Sequence, residues 1–70
     1  MAKIPRKLIE RLIKEFGAKR VSREAKESIA ENMIDRLNNI TELAIKNSRH
    51  FGRKLITKED IEFAIKQLKL

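Results

Sequence analysis

Covalent chemistry has little to work with in this sequence. There is no cysteine and a single histidine, His50, and no glycine-rich phosphate loop or acid–base constellation is present. What the residue types can do is bind an anion, and the chain is built to do so twice. Gly17-Ala-Lys-Arg-Val-Ser-Arg-Glu24 and Gly52-Arg-Lys-Leu-Ile-Thr-Lys-Glu59 agree in kind at most positions, 35 residues apart. Each runs from a glycine to Lys two residues on, then to Val or Ile, Ser or Thr, a base and Glu. Such a segment reads as a helix stop, a basic extended connection and a fresh helix N-terminus. A helix N-terminus offers free N–H groups and the positive end of the dipole to an anion. The blander alternative is a pair of capped turns with solvated lysines.

Three helices must position these connections. Ser22 is placed to cap a long central helix over about 23–51, which contains no proline or glycine and which Gly52 closes. Its apolar residues recur at Ala25, Ile29, Met33, Leu37, Ile40, Ala44 and Ile45, a helical spacing. The intervals run mostly in fours, without the alternation of a heptad seam, which disfavours a simple coiled coil. A first helix over about 5–16 starts at Pro5, suited to a first turn, with Leu8, Ile9, Leu12, Ile13 and Phe16 as its apolar face. A third, over about 58–69, is capped by Thr57 with Asp60 in the manner of a capping box. The reading is one all-α domain over 1–70, short helix, long helix, short helix, in two helix–loop–helix halves that share the central helix. A rod of roughly 40 Å is too long for such short flanks to cover. A second chain is the expected cover, with Ile29, Met33, Leu37, Ile40 and Ala44 as dimer core.

The chain of 70 residues carries a net charge of +7, and the charge is segregated. Residues 1–23 hold +6 and residues 49–58 hold +4, while 24–48 hold −2 and 59–70 hold −1. This footprint fits a polyanion. Its candidate contacts are Arg11, Lys14, Lys19, Arg20, Arg53 and Lys54. The only aromatics are Phe16, Phe51 and Phe63, at places where core packing accounts for them, so stacking on single strands is disfavoured. No apolar run approaches a membrane span and the N-terminus lacks a signal peptide's apolar stretch, so the chain reads as soluble and intracellular. The apolar faces read as belonging to a core, which disfavours a membrane-surface helix. No enzyme activity, cofactor, metal or small-molecule substrate is expected.

At these same residues the sequence resembles the archaeal histones. The likeness rests on Gly17-Ala18-Lys19-Arg20-Val21-Ser22, Ala25, Arg49-His50, Gly52-Arg53-Lys54, Ile56 and Glu59-Asp60-Ile61, and covers nearly the whole chain. It implies the histone fold: an intertwined handshake homodimer in which two long helices cross and paired loops lie at both ends. By resemblance, Arg11, Arg20 and Lys54 stand where family members touch DNA, and Arg53 with Asp60 matches an ion pair that braces the second loop. Asn47, His50, Phe51 and Asp60 match positions at or near a dimer–dimer contact. Three residues depart from the pattern. Leu55 replaces a usual Thr, Asn47 a usual apolar residue, and Phe51 a small one; Glu10, beside Arg11, is placed to weaken that contact. The expectation is a sequence-tolerant double-stranded DNA-binding protein that bends, wraps or compacts DNA, cytoplasmic and nucleoid-associated. The alternative is a histone-fold module pairing with a different chain in a transcription complex.

Overall fold

A computed structural model describes residues 3–69. The elements are α1 (Arg6–Glu15), α2 (Arg23–His50) and α3 (Lys58–Lys69), with no strand among the described residues. The short–long–short order is the expected one. Pro5, expected in the first turn, instead stands one step outside it as the N-cap residue, with φ −57° and ψ 124°. Its carbonyl still accepts the N–H of Ile9. Ser22 caps α2 through its Oγ, which accepts the Ala25 N–H at 3.0 Å. Thr57 and Asp60 form the capping box of α3. The Thr57 N–H donates to Asp60 Oδ2 at 2.8 Å, and the Asp60 N–H donates to Thr57 Oγ1 at 3.4 Å. The shorter Asp serves where Glu is usual.

Both glycine stops are built alike. At the end of α1, Gly17 N–H donates to Lys14 O and Ala18 N–H to Ile13 O, at 3.0 and 3.2 Å. At the end of α2, Gly52 N–H donates to Arg49 O and Arg53 N–H to Ser48 O, at 2.9 and 3.0 Å. Each is a complete Schellman motif with its glycine at positive φ, +116° at Gly17 and +69° at Gly52.

The chain groups into two compact units, Met1–Asp35 and Arg36–Leu70, so the division falls inside α2 and gives each unit one helix–loop–helix. In the first, the Arg6 guanidinium grips Glu27 with two bonds, of 2.7 and 2.9 Å, tying the start of α1 to α2. Each partner shifts the other's ionisation: the Glu27 carboxyl is held below its usual range and Arg6 above. Lys26 and Lys14 both reach Glu10, at 3.4 and 3.1 Å.

Little apolar volume is closed off. Among the described residues the buried apolar ones are Ile9 and Ala30 in the first unit, and Ala44 and Ala64 in the second. Alanine fits where helix backbones come close, but it encloses almost no side chain. Ile29, Met33 and Leu37 remain 36, 42 and 60% exposed. Of the five residues expected in a dimer core, Ala44 does not fit: it is wholly buried within its own chain and has no surface left for another. The phenylalanines differ from expectation as well, since Phe16, Phe51 and Phe63 are all exposed. Phe16 and Phe51 immediately precede the two glycine stops, where each helix ends and the chain turns off.

Candidate nucleic-acid interface

The first connection, 18–22, leaves Lys19 and Arg20 exposed. They follow the Gly17 turn and precede the Ser22 cap, so both ends of their short segment are hydrogen-bonded. On α1, Arg11 and Lys14 are also exposed. Glu10, expected to weaken Arg11, instead pairs with Lys14 and Lys26, whose ammonium groups hold its carboxyl below the usual range. Arg11, Lys19, Arg20 and Lys54 make no ion pair among the described residues. Lys14 is partly neutralised.

The second connection is organised around Asp60, a carboxylate with no exposed surface. Arg53 meets it with both terminal nitrogens, Nη1 to Oδ2 and Nη2 to Oδ1, each at 3.0 Å. Asn47 Nδ2 donates to Oδ1 at 2.8 Å, and Thr57 adds its N–H and hydroxyl to Oδ2. The Arg53 guanidinium and these N–H donors keep the Asp60 carboxyl far below the ordinary carboxylate range. Arg53 is raised in turn by Asp60. A buried charge is tolerated only when paired and hydrogen-bonded in this way.

The geometry revises two expected roles. Arg53 has a charge largely answered by Asp60, and its Nη1 also donates to Leu55 O at 3.1 Å, so it shapes the loop rather than offering an unpaired cation. Asp60 is buried and saturated, which removes it as a side chain able to reach a second dimer. Asn47 turns to Asp60, while His50 and Phe51 stay exposed and meet edge to face at 5.1 Å. The Arg53 guanidinium lies over the Phe51 ring, 5.6 Å from its centre.

Ser48 is a loop-bracing residue of the candidate site that sequence reasoning missed. It is 2% exposed, and its hydroxyl lies 2.7 Å from Arg53 O and 3.1 Å from Leu55 O, closing the second loop against α2. A signal was available. By the 35-residue repeat, Leu12 and Ile13 of α1 correspond to Asn47 and Ser48 of α2. Two polar residues therefore interrupt an apolar face where the first half keeps it: Ser48 binds the loop and Asn47 binds Asp60 of α3.

No group of three or more His, Asp or Glu that could hold a metal ion occurs among the described residues. None of the described helices is long and apolar enough to cross a membrane. Comparison with known proteins agrees with the architecture. The family model for "Histone-like transcription factor (CBF/NF-Y) and archaeal histone" matches residues 2–65. The sequence is also similar to one subunit of the archaeal histone HAN1 from Thermococcus zilligii, with 38% identity over 66 residues, or 94% of this chain and 98% of that protein.

Proposed function

The chain belongs to the family of histone-like transcription factors (CBF/NF-Y) and archaeal histones, with its three-helix histone fold, and from that premise we propose that it binds double-stranded DNA as an intertwined homodimer. The dimer bends or wraps the duplex without reading its sequence, and the protein resides on the chromosome. The observation that carries this reading is the repeated loop, in which two helix stops with the same hydrogen-bond pattern each lead into exposed basic residues, Lys19 and Arg20 in one and Lys54 in the other. Arg11, Lys19, Arg20 and Lys54 meet backbone phosphates or enter the minor groove, with Lys14 as a weaker contact. Arg53 contributes by fixing the loop that carries Lys54. Doubling in a dimer multiplies the sites and covers the exposed α2 residues Ile29, Met33 and Leu37.

The test is binding to random-sequence duplex over a range of salt. A dimer engaging roughly 6–10 phosphates shows log K falling against log salt with a slope of about −5 to −9. Arg20→Ala and Lys54→Ala should each weaken binding to all duplexes alike and flatten the slope by about one for each copy of the residue engaged. Losses that differ between sequences would contradict backbone binding. A second reading, a module that pairs with a different histone-fold chain, is favoured by one observation: the similar Thermococcus protein is named as a subunit. Sedimentation of the pure chain separates the two, since a self-dimer argues against an obligatory foreign partner.

A further inference from the structure

Lys54 stands between two residues whose backbone carbonyls are both reached by one hydroxyl. Ser48 Oγ lies 2.7 Å from Arg53 O and 3.1 Å from Leu55 O, in a side chain that is 2% exposed. We propose that Ser48 is a positioning residue for DNA binding: it fixes the backbone on either side of Lys54, so that this exposed cation is in place before DNA arrives. The inference rests on the DNA-binding reading above and adds to it a residue that never touches the duplex.

Ser48 and Arg53 exchange a pair of bonds. The Arg53 N–H donates to Ser48 O at 3.0 Å, and the Ser48 hydroxyl donates back to Arg53 O. A hydroxyl carries one proton, and the shorter distance assigns it to Arg53 O. Leu55 O keeps a second donor in Arg53 Nη1, whereas Arg53 O has none besides Ser48 among the described residues. That carbonyl lies in the peptide plane leading into Lys54, so losing its bond frees the backbone of Lys54 itself. The helix has no need of the hydroxyl, since alanine favours a helix interior more than serine does. The other half of the chain has nothing of this kind. By the 35-residue repeat Lys54 corresponds to Lys19, while Asn47, Ser48, Arg53 and Asp60 correspond to Leu12, Ile13, Ala18 and Ala25. A loop residue that must be ordered on binding weakens the complex, and Ser48 spares Lys54 that loss.

The test is a double-mutant cycle on one random-sequence duplex with wild type, Ser48→Ala, Lys54→Ala and the double variant. Melting curves establish that each is folded at the temperature of the titration. Ser48→Ala should weaken binding about three- to tenfold for each copy engaged, the scale of one neutral hydrogen bond. On the Lys54→Ala background the same change should weaken it less than about twofold, because no cation is left to place. Backbone order parameters at Lys54 and Leu55 of the free protein should also fall in Ser48→Ala, from about 0.85 toward 0.6. Undiminished affinity, an equal loss on both backgrounds, or unchanged order parameters would each overturn the positioning role while DNA binding stands. Weak, salt-insensitive binding by wild type would overturn both.

Discussion

Asp60 shows how much one side chain decides in a domain this small. Its oxygens collect donors from Arg53, Asn47 and Thr57, so the carboxylate joins α2, the second loop and the cap of α3. Its depressed ionisation makes stability depend on pH in a definite direction. A carboxyl held below its unfolded value stabilises fully above that value, about 3.9 for Asp, and loses the contribution as pH falls below it. Melting temperature should therefore be flat from about pH 5 to 7 and decline below about pH 4, with Glu10 and Glu27 adding smaller terms of the same sign. Asp60→Asn should lower the melting temperature at neutral pH, and its gap from wild type should narrow as acid is added. A gap constant with pH in thermal melts would show that the charge of Asp60 is not what holds the loop.

At the scale of elements, the two glycine stops share hydrogen bonds but differ in strain. The +69° φ of Gly52 lies at the edge of the left-handed well that other residues can occupy, whereas the +116° of Gly17 lies outside it. A Cβ added at either position meets nothing within 4 Å, so backbone conformation alone sets the cost. Within the range of about 1–3 kcal/mol for such strain, Gly52→Ala should fall near the bottom and Gly17→Ala near the top. Denaturant unfolding at fixed protein concentration checks the order, and equal costs would refute the distinction. Much of this level was legible in the sequence, because caps and stops are local chemistry: Ser22, Thr57, Gly17 and Gly52 act within a few residues of themselves. Asn47 and Ser48 were harder, since their value depends on Asp60, Arg53 and Leu55, which only the folded loop brings to them. The exposure of Phe16 and Phe51 was hidden for the opposite reason. Apolar spacing marks a helix face but does not say where that face ends.

At the scale of the whole molecule, the question is what covers α2. Among the described residues a single chain buries, of its apolar side chains, only Ile9 and three alanines, while Leu37 near mid-helix stays 60% exposed. Leu37→Lys separates the alternatives because they assign it opposite costs. If the chain folds alone, Leu37 is a surface residue and the change should stay within about 0.5 kcal/mol. If two copies pair through α2, the dimer loses two buried leucines, each worth about 1.5–3 kcal/mol, and gains two cations in an apolar seam. The proposed dimer therefore predicts a loss above about 3 kcal/mol, with the species turning monomeric and unfolding together. It also predicts a wild-type melting temperature that rises with protein concentration, since association stabilises only the folded state. Sedimentation and circular dichroism on the same samples read both effects. A wild-type melting temperature independent of concentration, with Leu37→Lys as stable as wild type, would leave α2 uncovered by a second copy, and DNA binding would then rest on a single pair of loops.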